Sequence, residues 1–229
     1  MDALFQVVRC FDDAEIIHVE GDVDPIRDLE IISSELRIKD IEFVGKSLEA
    51  LKKQTRLGGH SLEMKKLKEE QAIVESVLKC LEEEDTDVRK KNWGNKEVEI
   101  INSLLLLTAK PVIYIINLSE KDYIRQKNKH LPKIFKWVQE NSPGDTIIPV
   151  SVAFEDRLTR MTEDEVKEEC EKLGVKSAIG KLVTNMRKEM NLGSFFTTGT
   201  DEVRQWTIRN GTKAPQAAGV IHTGTPSNL

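Results

Sequence analysis

The chain has 229 residues, 39% of them hydrophobic, with 34 Lys and Arg against 39 Asp and Glu and a formal net charge of -5. This length allows one large domain or two modest ones, with a core that needs neither a metal nor a disulfide. The acidic balance argues against a surface tuned as a whole to polyanions, and the apolar content argues against wholesale disorder.

The chain opens on a β-rich run at residues 3–11, with no solvating leader before it. This start predicts a strand and suggests that the sequence begins inside a domain. From Asp24 to about Arg56, apolar residues recur at spacings of three and four, which predicts a long amphipathic helix. Asp24 followed by Pro25 is a favourable start, because an acidic N-cap accepts free N–H groups and Pro fits the first turn.

A second long helix is predicted after a break at Gly58 and Gly59, with heptad-like spacing that continues to the acidic stretch 82–85. The two segments predict an antiparallel helical hairpin of the coiled-coil type. Its outer faces are charged, and two interpretations stay open: a solvated surface, or a face that binds a partner. A third helix, from about Lys96 to Leu107, ends in a run of leucines that we expect to be buried.

The middle of the chain predicts a parallel βαβ unit. Residues 112–116 are apolar at every position, as in a strand covered on both faces. A helix at about 127–140 and a strand at 146–150 follow, and this order implies parallel pairing. Because the sheet would lack its preceding strands, we expect 112–116 to form an unpaired edge that promotes aggregation.

The last part of the chain predicts two helices and the start of a small β module. The helices span about 163–173 and 176–190, and two short strands follow at 194–198 and 203–208. A tight turn is predicted at 210–211. The residues that remain are too few and too polar to complete such a module.

The cysteine pattern and the apolar runs predict where the protein is found. Cys10, Cys80 and Cys170 are far apart and form no C-x-x-C pair, which indicates neither a disulfide framework nor a zinc site. There is no window of about 18 uninterrupted apolar residues and no signal-peptide pattern. We therefore expect a cytoplasmic protein that engages neither a membrane nor a specific DNA sequence.

Gly45-Lys46-Ser47 matches the last three positions of the phosphate-binding motif G-x-x-x-x-G-K-[ST]. This motif lies between a strand and a helix. Asp40 occupies the place of the first glycine, and apolar helical spacing runs through the segment. The sequence therefore argues against a phosphate site at this position.

A more promising place is Asn117-Leu118-Ser119-Glu120, directly after the apolar strand. In open parallel sheets, ligands bind beyond the carboxyl ends of the strands. GTPase-type folds carry Asn-Lys-x-Asp in this loop: the Asn orders the loop and meets the purine, and the Asp accepts two hydrogen bonds from guanine. The plain structural alternative is that Asn117 is a turn residue and Glu120 a solvated acid.

Two substitutions in this loop predict a changed base preference. Leu118 replaces the Lys whose stem covers the base, and Glu120 replaces the Asp and is longer by one methylene. Adenine has no exocyclic amine at the matching position and offers a bare acceptor at N1, so a carboxylate placed there gains nothing from it. Selectivity for guanine should therefore be weakened or lost.

Three segments resemble the Obg-like ATPase family, the YchF-type branch of the P-loop GTPases. They are the loop at 117–125, the segment 18–28 that leads into the helical hairpin, and the late segment 201–222. The resemblance implies an ATP-preferring hydrolase that uses Mg²⁺, with a TGS domain linked to ribosomes and translation. It covers nearly the whole chain.

The fold class that follows is α/β: a partial P-loop GTPase-type parallel sheet, a long helical-hairpin (coiled-coil) insertion and the start of a β-grasp TGS domain. The resemblance implies that residues 1–19 and 98–192 form the C-terminal half of the nucleotide-binding domain. Residues 20–97 would then form the inserted hairpin, and 193–229 an incomplete TGS domain.

The resemblance also implies which residues bind nucleotide. Asn117, Leu118 and Glu120 match the base-recognition loop. Ser151, Val152 and Ala153 match a second base-contacting loop, whose backbone N–H groups usually face the purine. Val152 stands where a smaller residue is common in the family. The implied partners are the purine end of ATP and the ribosome or ribosomal RNA.

The sequence also departs from the family pattern. It contains no G-x-x-x-x-G-K-[ST] and no D-x-x-G segment, the parts that grip the β- and γ-phosphates and Mg²⁺. We therefore expect no catalytic residue in this chain, which alone should be inactive, with the missing half lying before Met1. The alternative is a non-catalytic interaction protein that binds a partner or the ribosome through the hairpin. A basic run from Lys121 to Lys136 is interpreted as a solvated helix, with contact to ribosomal RNA or nucleotide as the other possibility.

Overall fold

The computed structural model describes residues 2–12, 22–56 and 61–221. The chain divides into two compact units. The sheet unit contains Met1–Gln6, Val112–Gln126 and Thr146–Leu229, and the helical unit contains Val7–Pro111 and Lys127–Asp145. The predicted domains, 1–19 with 98–192, 20–97 and 193–229, stay a prediction. The predicted helix break at Gly58 and Gly59, and residues 18–21 of the family-like segment, lie outside the described residues.

The helical unit begins with a long helix, α1 (Pro25–Thr55), at the predicted place. Asp24 is its N-cap, and the carboxylate accepts hydrogen bonds from the backbone N–H groups of Ile26 (3.1 Å) and Arg27 (3.3 Å). Pro25 lies in the first turn, where the missing N–H costs no helical hydrogen bond. The local start signal in the sequence is therefore confirmed.

The second helix, α2 (Leu62–Glu82), runs antiparallel to α1. The Thr55 hydroxyl donates to the Gln71 side chain at 2.7 Å, and farther along the pair Arg37 forms an ion pair of 3.0 Å with Asp85. Residue numbers thus rise along one helix as they fall along the other. Both helices contribute to one apolar core, whose buried members include Val44, Leu48, Val74, Val77 and Leu81. That they form an inserted coiled-coil domain stays a prediction.

The third helix, α3 (Asn95–Leu104), follows a short 3-10 turn (Val88–Lys90) and ends earlier than predicted. The expectation that its leucine run is buried throughout was wrong. Leu106 is 2% exposed, but Leu105 is 69% exposed. Leu105 has a φ of 54° in the left-handed region and ends the helix there, so its side chain turns away from the core.

Asp40 lies on the buried face of α1 and holds the chain just after α3. Its carboxylate accepts hydrogen bonds from the N–H of Leu107 (2.9 Å) and from the N–H (2.7 Å) and hydroxyl (2.6 Å) of Thr108. The adjacent segment, Gly45-Lys46-Ser47, lies in the interior of α1. The predicted helical conformation of this segment is therefore confirmed, and the absence of a phosphate site there stays a prediction.

Among the described residues, a three-stranded sheet is formed by β1 (Leu4–Arg9), β2 (Val112–Asn117) and β3 (Thr146–Val150), in the order β1-β2-β3. β2 and β3 pair in parallel, with Asn117 opposite Val150, as the βαβ pattern predicts. The expectation that 112–116 would form an unpaired edge was wrong. β2 is the central strand, because β1 supplies the neighbour that was expected to be missing. The residues Val112 to Ile116 are all buried.

Between β2 and residue 191, the described residues form five further helices: α4 (Glu120–Ile124), α5 (Leu131–Asn141), α6 (Val152–Leu158), α7 (Glu163–Leu173) and α8 (Ile179–Glu189). α5 belongs to the helical unit and the others to the sheet unit. α7 spans the predicted range. α5 begins later than predicted because Pro132 lacks an N–H and fits only the first turn. α6 was not predicted.

The C-terminal part of the sheet unit is an antiparallel hairpin of β4 (Leu192–Thr198) and β5 (Val203–Arg209), followed by the short helix α9 (Ala214–Gly219). Phe195 pairs with Trp206, and the Arg204 guanidinium lies 4.5 Å from the Trp206 ring centroid. The two predicted strands are confirmed, and their assignment to a TGS domain stays a prediction. None of the helices in the described part of the chain is long and apolar enough to cross a membrane.

Candidate functional site

The candidate site lies where the loops after β2 and β3 meet. The Leu118 N–H donates to the Val150 carbonyl at 2.8 Å, which extends the parallel ladder past the end of β2. The side-chain oxygen of Asn117 then accepts a hydrogen bond of 3.1 Å from the N–H of Val152. These two bonds connect the ends of adjacent strands, so Asn117 orders both loops.

Each loop passes at once into a short helix capped by a serine. The Ser119 hydroxyl accepts from the N–H of Asp122 (3.1 Å) at the start of α4, and the Ser151 hydroxyl accepts from the N–H of Phe154 (3.4 Å) at the start of α6. Ser151 is fully buried, whereas Ala153 is exposed. The predicted residue Ser151 therefore has a capping role in this structure.

Two predicted site residues have environments that the sequence did not indicate. Leu118 is only 2% exposed, so its side chain lies in the interior and offers no covering face to a ligand. The Val152 N–H, which was expected to face a purine, donates to Asn117, while the Val152 side chain is 54% exposed. The Val152 N–H is therefore already used within the protein, and its contact with a purine stays a prediction.

Glu120 is bound by an arginine that the sequence analysis did not single out. Arg157 of α6 donates from Nε (3.1 Å) and Nη2 (2.7 Å) to the same Glu120 oxygen, and from Nη1 (2.8 Å) to Glu169 of α7. Hydrogen bonds to Glu169 and then to Glu120 raise the pKa of the Arg157 guanidinium above its ordinary value. The same guanidinium carbon lies 5.3 Å from the Phe154 ring centroid.

Arg157 is separated from Glu120 by 37 residues, so no spacing rule pairs them. A signal for its helix was present, because Ser151 directly after a strand is a favourable N-cap. That signal predicts a helix through Arg157 but does not predict which carboxylate the arginine meets.

Buried contacts fix α6 within the sheet unit. The Glu155 carboxylate accepts from the N–H of Ala178 (2.6 Å) and from the Ser177 hydroxyl (2.7 Å). The Phe154 ring packs against Tyr123 with centroids 5.6 Å apart, and the Tyr123 hydroxyl donates to the Lys176 carbonyl at 2.8 Å. Burial raises the pKa of Tyr123. Arg157 therefore projects from a helix anchored at its opposite side.

The predicted basic run does not form one helix. Lys121 lies on α4, whereas Lys133 and Lys136 lie on α5 in the other unit. Exposed ion pairs of 3.2 Å for Arg125 with Asp122 and 3.8 Å for Lys136 with Glu140 occupy part of this charge. In the described ranges there is no group of three or more His, Cys, Asp or Glu that could hold a metal ion.

Comparison with known proteins identifies close relatives. The chain is 66% identical over 223 residues to Obg-like ATPase 1 of Schizosaccharomyces pombe, and this match covers 97% of the chain and 57% of the relative. It is 61% identical over 222 residues to Obg-like ATPase 1 of Saccharomyces cerevisiae, covering 97% of the chain and 56% of the relative. The chain thus spans little more than half the length of these curated relatives.

The structural and family-model matches agree. The solved structure of the Schizosaccharomyces pombe YchF GTPase is similar with a TM-score of 0.89 and 66% identity, covering 97% of this chain and 59% of that chain. The family model YchF-GTPase_C, described as "Protein of unknown function (DUF933)", matches residues 192–227.

Proposed function

Because the chain belongs to the Obg-like ATPase family, we propose that it supplies the base-recognition part of a purine nucleotide site, with ATP as the nucleotide. The carrying observation is the hydrogen bond from the Val152 N–H to the Asn117 side chain, which joins the loops after two parallel strands. Ligands bind at this edge in open α/β sheets. Asn117 is the residue to which we assign direct contact with the base.

The chemistry of an asparagine amide suits this role. Its oxygen is an acceptor and its nitrogen carries two donors. With the oxygen oriented by Val152, the amide nitrogen takes a defined direction and suits a ring acceptor of a purine. Both adenine and guanine offer such an acceptor, so Asn117 explains purine binding and the base preference needs another residue.

The preference for ATP is part of the proposal. The curated relatives are named ATPases, and the similar solved structure is named a GTPase. Leu118 and Glu120 depart from the guanine-reading pattern Asn-Lys-x-Asp. This departure favours adenine. Mg²⁺ would accompany the nucleotide phosphates, and we assign no described residue to hold it. Hydrolysis of ATP and a part in translation at the ribosome are proposed for the whole family protein.

The first test is a titration of the chain with AMP, in which the NMR amide resonances of Asn117, Val152 and Ala153 report binding. Base contacts alone should give roughly millimolar affinity. Asn117→Ala should weaken binding at least about fivefold, the loss expected for one hydrogen bond. Asn185→Ala is the matched control, because that side chain bonds only the Lys181 carbonyl of its own helix (2.7 Å) among the contacts described. Unmoved resonances, or an unaffected Asn117→Ala variant, would contradict the proposal.

A second candidate is a non-catalytic interaction protein that binds a partner or the ribosome through α1 and α2. The observation that favours it is that Ile38 and Phe43 of α1 are 51% and 49% exposed. Co-sedimentation of the chain with purified ribosomes, lost in Ile38→Ser and Phe43→Ser but kept in Asn117→Ala, would support this candidate. Co-sedimentation that is kept in Ile38→Ser and Phe43→Ser but lost in Asn117→Ala would favour the nucleotide site.

A further inference from the structure

We propose that Arg157 is a specificity-determining residue that holds the Glu120 carboxylate away from the base and thereby disfavours guanine. The inference rests on the proposed function, since it concerns the base preference of the same site. It assigns to Arg157 an indirect effect, exerted through Glu120, and so makes it a positioning residue.

The geometry shows how Glu120 is occupied. Two nitrogens of Arg157 donate to one oxygen of Glu120, at 3.1 and 2.7 Å. A carboxylate reads guanine by accepting from N1–H and from the exocyclic amine, and that pair of donors needs the carboxylate facing the base. A guanine that binds both oxygens of Glu120 must therefore compete with Arg157 for Oε1.

Three contacts fix the arginine itself. Its third nitrogen donates to Glu169 at 2.8 Å, its guanidinium packs over Phe154, and α6 is anchored by Glu155. Arg157 cannot follow Glu120 towards a ligand without breaking the bond to Glu169. The side chains of Glu120 and Arg157 are 34% and 33% exposed, so the pair lies at the surface where a ligand can reach it.

Adenine is not penalised by this arrangement. It has no exocyclic amine at the position that Glu120 would read, and its N1 is an acceptor that a free carboxylate would repel. Pairing with Arg157 neutralises that carboxylate. The same ion pair therefore removes a favourable contact from guanine and an unfavourable one from adenine.

The test compares AMP and GMP titrations of the full chain by the amide shifts of Glu120, Val152 and Ala153. Arg157→Met frees Glu120 and should raise GMP affinity relative to AMP by roughly two- to fivefold, the range for releasing one partly exposed ion pair. Arg157→Lys keeps the positive charge and should restore most of the parent ratio. The double variant with Glu120→Gln should return to the parent ratio, since the amide cannot accept both guanine donors.

Arg160→Met is the matched control, because Arg160 forms its ion pair with Asp156 (2.6 Å) near the same helix end and away from Glu120. An unchanged AMP to GMP ratio in Arg157→Met, with both nucleotides still binding, overturns this inference and leaves the proposed function intact. If Arg157→Met loses AMP binding but keeps GMP binding, Arg157 is a direct base contact, and this result also overturns the inference. If neither nucleotide binds the parent chain, the proposed function fails and the inference falls with it.

Discussion

Asp40 offers the sharpest test of how the helical unit is held together. The side chain is 3% exposed, and both carboxylate oxygens are used by the chain after α3. Replacing Asp40 with Ala removes hydrogen bonds to two backbone N–H groups and the Thr108 hydroxyl, and water cannot readily take their place because Thr108 is 4% exposed.

These contacts set the free energy of unfolding that Asp40→Ala should lose. Leaving a buried donor unsatisfied costs about 1–3 kcal/mol, and the donors here share one carboxylate, so their losses are not fully additive. We expect Asp40→Ala to lower the free energy of unfolding of the helical unit by about 3–5 kcal/mol. Asp40→Asn keeps one acceptor oxygen and should cost roughly half as much.

Urea unfolding followed by circular dichroism gives the change in stability, and hydrogen exchange gives its location. The amides of Leu107 and Thr108 should be protected in the parent chain and should exchange much faster in Asp40→Ala. Glu42→Ala is the control on the same helix, since that carboxylate is 55% exposed and should change stability by less than about 0.5 kcal/mol. A loss below about 1 kcal/mol in Asp40→Ala with both amides still protected would refute this reasoning.

Three other outcomes can be measured on the same chain. Leu105→Gly should raise the free energy of unfolding in urea by about 0.5–1 kcal/mol. A Leu in the left-handed region is strained by about 1–2 kcal/mol, and the larger entropy that Gly loses on folding offsets part of the relief. Destabilisation would contradict the φ of 54°. Burial, and then the charge of Asp28, raises the pKa of Cys10 from 9.0 to about 12. Iodoacetamide at pH 8 should therefore modify the partly exposed Cys170 well before Cys10, and stability should fall as the pH rises from about 9 towards 12, because the unfolded thiol ionises first. The chain alone should release phosphate from Mg²⁺-ATP no faster than a blank, since its sequence lacks the phosphate-gripping motifs; turnover abolished by Asn117→Ala would contradict this.

Short-range signals in the sequence predicted those elements whose causes are local. Asp24 and Pro25 specify the start of α1 because an N-cap involves only the next few residues. Residues 163–173 form α7 as predicted, and Thr162 with Glu165 makes a reciprocal capping box at its start. The apolar run of β2 predicted a strand buried on both faces, because burial of every side chain requires cover on both sides.

The sequence by itself thus determined the family, the apolar strand β2 and the loop at Asn117 that follows it. Tertiary structure alone decided that β1 pairs with β2, that Leu118 turns inward while Leu105 turns outward, and that Arg157 binds Glu120. The physical reason is range. Caps and periodicity depend on neighbours within a turn or two, whereas an ion pair across 37 residues, or a carboxylate that binds a chain segment 68 residues away, exists only after folding has brought distant segments together.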